Sequence, residues 1–114
     1  MAYRIDDLIN IMAQLRSEQG CNWDKQQTFD SLAPYVIEEA HEVTEAIAAQ
    51  DYPHLCEELG DLLLQVVFQA QIAQEQQLFN FDDVVNAISQ KMVRRHPHVF
   101  QQANDLSPEQ VSQQ

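Results

Sequence analysis

Glycine is nearly missing from this chain, with two in 114 residues, and there are only four prolines. That scarcity, the abundance of Gln, Ala, Leu and Glu, and apolar residues spaced by three and four predict an all-α protein in which strands are not needed. Basic residues are scarce as well: six Lys and Arg stand against eighteen Asp and Glu, a formal charge of −12. So acidic a surface excludes nucleic acid as a direct ligand, because a phosphate backbone needs cations to meet it, and any phosphate-bearing substrate requires a mediating cation. No apolar run approaches the roughly 20 residues of a spanning helix, and the start Met-Ala-Tyr-Arg-Ile-Asp-Asp lacks an apolar signal region. A cytoplasmic protein with no membrane partner is expected. Cys21 and Cys56 lie in different contexts without metal-type spacing, which favours free thiols. The length suits one domain with one modest core, open to completion by a partner.

What the chain has in excess is concentrated between Val36 and Val66, where eight acidic side chains occur and no Lys or Arg. Each residue of a helix advances about 100° around the axis, so Val36, Ala40, Val43 and Ile47 form one apolar stripe with Glu39 and Glu42 along its edge. Leu55, Leu59, Leu62 and Val66 repeat the stripe, with Glu58 and Asp61 along the same edge. Gln50-Asp51-Tyr52-Pro53 supplies a short break with a proline suited to a helix start, and so short a link makes the two helices antiparallel neighbours. Packed stripe to stripe, antiparallel helices carry both edges on one side, and Glu39 with Asp61, like Glu42 with Glu58, is centred on residue 50. Convergence of four carboxylates is expected.

Around this hairpin the pattern predicts a first helix from about Arg4 to Glu18, with Ile5, Leu8, Ile9, Met12 and Leu15 buried and Gly20 ending it. The polar stretch Gly20 to Thr28 reads as a loop and holds Trp23, the only tryptophan, beside Lys25. Two readings stay open there: a ring closing over the core next to a solvated amine, or a flat surface for a base or sugar with a cation for a phosphate. The second helix is expected from near Pro34 and the third from near Pro53 to about Gln76. Between Leu59 and Ala70 the third is apolar on more than one face, which calls for a second copy to cover it. A fourth helix should follow Asn80 as N-cap, with Asp83 at N3 and a Phe79–Val84 staple, and end near Arg95. Its last turns hold Lys91, Arg94 and Arg95, half of all the basic residues. Residues 1–100 make the domain, and 101–114 a polar tail in which Ser107-Pro108-Glu109 can start one short helical turn.

Most acidic runs are solvated helix faces, and Glu38 and Glu45, opposite the stripe, fit that description. Glu39, Glu42, Glu58 and Asp61 do not, because four carboxylates gathered at one interface repel one another. A divalent cation relieves the repulsion, and an all-oxygen set suits Mg²⁺ or Mn²⁺ rather than Zn²⁺. The Glu38–His41 step offers a di-iron alternative, but such sites need two Glu-x-x-His steps; only one is present, and His41 projects away from the stripe.

Four ordered motifs carry a resemblance: Cys21-x-Trp23-Asp24-x-x-Gln27-Thr28; Pro34-Tyr35-x-x-Glu38-Glu39-Ala40-x-Glu42-Val43-x-Glu45-Ala46-Ile47; Glu57-Glu58-Leu59-Gly60-Asp61-Leu62-Leu63-Leu64-Gln65-Val66-Val67-Phe68; and Lys91-x-x-Arg94-Arg95-His96-Pro97-His98-Val99-Phe100. Together they resemble a MazG nucleotide pyrophosphohydrolase, one of the all-α nucleoside triphosphate pyrophosphatases, which include dimeric dUTPases. The resemblance implies a four-helix fold completed by dimerisation, as a dimer or dimer of dimers. It implies a Mg²⁺-dependent enzyme, with Mn²⁺ as substitute, that cleaves between the α and β phosphates of (deoxy)nucleoside triphosphates in nucleotide-pool house-cleaning. The family's metal motif falls on Glu39, Glu42, Glu58 and Asp61, and its phosphate-holding cations on Lys91 and Arg95, with Arg94 beside them. Trp23 and Lys25 fall in its substrate-side loop, and Glu38 at an acidic position able to orient or deprotonate the attacking water. Asn22 and Phe29 depart from the common family Pro and His, which bears on base preference. The competing reading is a non-catalytic helical module that binds nucleotide or metal.

Overall fold

The computed structural model describes residues 1–100; the tail beyond them, with the helical turn expected at Ser107-Pro108-Glu109, lies outside the described residues. The described chain is all-helical: α1 (Ile5–Leu15), α2 (Asn22–Gln26), α3 (Phe29–Ala48), α4 (Tyr52–Glu75), α5 (Phe81–Arg95) and α6 (Pro97–Phe100). The four expected helices correspond to α1, α3, α4 and α5, and α2 and α6 are additions. No helix among the described residues is long and apolar enough to cross a membrane. Two compact units divide the chain between Asn80 and Phe81.

In the first unit, α3 packs along α4 and α1 packs on α4. Helix α1 stops at Leu15, short of the expected Glu18, and the chain folds back at once through bonds from the Gly20 N–H to the Ser17 carbonyl and from the Cys21 N–H to the Leu15 carbonyl. A side chain at Gly20 would stand 2.1 Å from the Leu15 carbonyl oxygen, so this reversal admits only glycine. The stretch expected as a loop then coils into α2.

Helix α3 begins at Phe29, not near Pro34. Thr28 accepts a bond from the Ser31 N–H, while the Thr28 N–H donates to the Ser31 hydroxyl, and this reciprocal cap starts the helix a full turn before the proline. Pro34 therefore lies inside α3, at the cost of one backbone bond.

Both long helices end in the same way. Gln50 and Gln77 adopt left-handed conformations with φ of 55° and 61°. The following N–H groups, of Asp51 and Leu78, reach back to the carbonyls of Ala46 and Ala73 at 3.2 and 2.9 Å, the Schellman closure that usually uses glycine. Asp51 then caps α4 through the His54 N–H.

The core comprises Met12, Leu32, Val43, Ala46, Val67, Phe68, Ala70, Ile72 and Ala73. This corrects the expected stripes. Val43 is buried, but Ala40 and Ile47 are exposed and Leu32 and Ala46 do the packing instead; on α4 the buried set begins at Gln65, while Leu59 and Val66 stay exposed. The α1 stripe thins likewise, with Met12 its one buried residue. Where a helix is apolar nearly all round, periodicity alone does not select which face turns inward.

In the second unit, α5 starts and ends where the sequence predicts. Asp82 and Asp83 occupy its first turn and Arg94 and Arg95 its last, matching the helix dipole at both ends. Helix α6 starts on Pro97, which is buried, in the position where a missing N–H costs nothing.

Candidate functional site

The α3–α4 hairpin brings Glu39, Glu58 and Asp61 together, with one carboxylate oxygen of each within 4.8 Å of the others. Glu58 and Asp61 are three residues apart and so share a face of α4; Glu39 meets them from the antiparallel α3. Glu39 and Glu58 are half-buried and Asp61 is exposed. Glu42 is half-buried on the same helix as Glu39 but lies outside this set of three, and Glu38 is exposed.

Negative charge in the cluster outweighs what the chain supplies against it. The Glu39 carboxyl titrates above its ordinary value, first through burial and then through the negative charges of Asp61, Glu58, Glu38 and Glu42. Among the described residues no Lys or Arg forms an ion pair with any of the three; the neighbour that does is His54, whose Nε2 lies 2.8 Å from Glu58 Oε1. The His54 imidazole is held above its ordinary pKa chiefly by that hydrogen bond. Three oxygen donors from two rigid helices, mutually repelling and without a strong counter-ion, fit a hard divalent cation. His41 is not among them: it is exposed and pairs with Glu45 at 3.1 Å, so the di-iron alternative lacks its histidine.

On the α2 side, Trp23 is 51% exposed. Its ring stands edge-on to Tyr35 and Phe68, with centroids 6.2 and 6.4 Å away. It therefore neither closes fully over the core nor floats free. Lys25 donates from Nζ to the Glu18 carbonyl at 2.8 Å, which ties it to the reversal after α1. In the second unit Lys91 is half-buried while Arg94 and Arg95 are exposed on the last turns of α5. His96 Nδ1 lies 2.7 Å from the Met92 carbonyl, and its ring is 5.7 Å from that of His98.

Two features escape a reading of the sequence. His54 looks like an ordinary helix-start residue, although its i,i+4 spacing to Glu58 was a usable signal. The other is Arg16, which donates from Nε and Nη2 to both oxygens of Glu75 at 2.8 Å. These residues lie 59 positions apart, and no local pattern links them. Arg16 holds the Glu75 carboxyl below the ordinary glutamate range. Both cysteines are free, as the sequence favours, and both are exposed.

Comparison with known proteins places this geometry among relatives. The family model described as the MazG nucleotide pyrophosphohydrolase domain matches residues 27–100. A nucleoside triphosphate pyrophosphohydrolase of Escherichia coli K12 is 58% identical over 98 residues, covering 85% of this chain and 37% of that protein. A nucleoside triphosphate pyrophosphohydrolase/pyrophosphatase of Thermotoga maritima is 53% identical over 95 residues, covering 83% and 37%. The chain thus spans well under half the length of these curated relatives. The crystal structure of a mazG-related protein from Thermotoga maritima superposes with a TM-score of 0.74 at 26% identity, covering 95% of this chain and 92% of the other.

Proposed function

We propose, from the premise that this chain belongs to the MazG nucleotide pyrophosphohydrolase family, that it hydrolyses nucleoside triphosphates between the α and β phosphates. Water adds to one phosphorus, the bridging P–O bond breaks, and the products are a nucleoside monophosphate and pyrophosphate. The observation that carries this reading is the meeting of Glu39, Glu58 and Asp61 within 4.8 Å, where the neighbouring negative charges push the Glu39 carboxyl up.

These three would hold the divalent cation, Mg²⁺ or Mn²⁺, with Glu42 from the next turn of α3 available to complete the set. When bound, the cation supplies neutralisation of phosphate charge and a lowered pKa for water. The rigid hairpin keeps the donors in place before the ion arrives, so little reorganisation is needed. Glu38, exposed beside Glu39, is assigned to orient or deprotonate the attacking water. Lys91 and Arg95, with Arg94, are assigned to the triphosphate oxygens, where a charge-assisted bond is strongest. Trp23 and Lys25 are assigned to the nucleoside side. A nucleotide-pool role in the cytoplasm follows from such a reaction.

Assembly as a homodimer, or a dimer of dimers, is part of the same reading. Leu59, Leu63 and Val66 share one face of α4 and remain exposed, and an apolar helix face of that length calls for a second copy.

The reaction is tested by incubating the protein with a panel of deoxynucleoside triphosphates and Mg²⁺ and identifying the products. Monophosphate and pyrophosphate are expected, with activity lost in Asp61→Ala. Release of orthophosphate, nucleotide binding without turnover, or full activity in Asp61→Ala would overturn it.

A further inference from the structure

Arg16 is the most heavily bonded side chain in the first unit, and nothing in the proposed chemistry uses it. It is drawn almost wholly into the protein, with side-chain exposure of 8%. Its fork to Glu75 uses Nε and Nη2. The remaining nitrogen, Nη1, donates to the carbonyls of Asp24 and Gln27 at 2.6 and 3.2 Å. One guanidinium therefore grips the end of α4 with one side and the backbone of the α2 turn with the other. Its central carbon also lies 5.7 Å from the centre of the Phe68 ring, a ring that neighbours Trp23 as well.

We propose that Arg16 is a positioning residue for the nucleoside side of the site: it clamps the α2 turn to α4 and thereby sets the Trp23 ring against Phe68 and Tyr35. This rests on the assignment of Trp23 to substrate made above. The geometry needs arginine. Only a planar fork reaches a carboxylate bidentately while a further nitrogen serves two carbonyls, and a lysine ammonium can satisfy one side or the other. Helix α2 is five residues long with no buried residue, and its other side-chain hydrogen bonds, from Lys25 to the Glu18 carbonyl and from Gln27 to the Trp23 carbonyl, are local, whereas those of Arg16 reach across to α4. Because Gly20 lets the chain double back at the end of α1, Arg16 comes within reach of carbonyls eight and eleven residues ahead.

Trp23 is the only tryptophan, so its fluorescence reports the turn directly, without nucleotide or metal. In Arg16→Lys, acrylamide should quench that fluorescence more readily than in the parent. KM for the preferred triphosphate should rise about five- to tenfold with kcat within about a factor of two. Glu75→Gln, which weakens the fork but leaves the carbonyl contacts, should move both readouts less and in the same direction, and it carries the test if Arg16→Lys does not fold. Parental quenching and parental KM in a folded Arg16→Lys would overturn the proposal, as would lowered thermal stability with KM and quenching unmoved, which marks a purely structural clamp. Failure of the reaction itself is seen separately, as an absence of pyrophosphate from the parent, and leaves the quenching comparison to decide the role of Arg16.

Discussion

Helix α4 carries acidic side chains in its first half and in its last turn, and the two regions treat them in opposite ways. Glu75 receives both prongs of a guanidinium and is pulled below the ordinary glutamate range by that bond. Glu58 and Asp61 instead face a third carboxylate, Glu39, whose pKa is pushed up. The carboxylate of Glu75 is supplied with its cation by the chain, whereas those of the cluster are left in mutual repulsion, the arrangement on which the proposed cation site rests. The difference is physical, and it sets a strut apart from a proposed site within one helix.

The strongest way to break that contrast is to remove charge from the cluster. Glu39→Gln should lower turnover by about a hundredfold or more, yet unfold no earlier than the parent when metal-free, because it relieves repulsion. Added Mg²⁺ should raise the melting temperature of the parent through binding to the folded state and raise that of the variant much less. Thermal melts with and without the ion, beside a turnover assay, check this. A variant that loses stability along with activity would mean that Glu39 supports the fold as Glu75 does.

A second, smaller effect sharpens the comparison through pH. Glu39 has its folded pKa raised above 4.5, so its ionised form costs stability, and that cost is relieved as pH falls through the raised value. Glu75 has its folded pKa lowered below 4.5, so its contribution is complete above 4.5 and is lost as pH falls through the lowered value. Metal-free protein titrated downward from neutrality should therefore gain from the first region before it loses from the second. Denaturant titrations across that range should show the early gain missing in Glu39→Gln and the later loss reduced in Glu75→Gln.

Much of this contrast was legible from residue spacing, and the reasons differ from place to place. Glu39, Glu58 and Asp61 could be brought together on paper because helical angle and a short link leave an antiparallel hairpin few choices. Which residues line its buried face could not: Ala40, Ile47 and Leu59 are apolar or small and in period, but the run is apolar on several sides, and Leu32, Ala46 and Phe68 took the interior. Pro34 looks like a start signal, yet the Thr28–Ser31 cap, whose N-cap residue lies six positions upstream of it, is the stronger one. Glu42 shows the limit of a symmetric argument, since the same reasoning that joins Glu39 to Asp61 adds Glu42, and the set of three forms without it. Arg16 and Glu75 were out of reach altogether, because their pairing depends on how α1 comes to lie on α4.

The left-handed glutamines at the two helix ends hold a reserve of a different kind. Gln50 and Gln77 sit where a side chain is a handicap, and neither is given a part in binding or chemistry. Gln50→Gly and Gln77→Gly should each stabilise the protein by about 0.5–1 kcal/mol, the smallest effect expected here and one read from denaturant midpoints. Their value lies in combination. Natural chains tend to sit just above the stability they need, and a background raised at both turns would let damaging substitutions at Arg16 or in the carboxylate cluster be studied in a molecule that still folds.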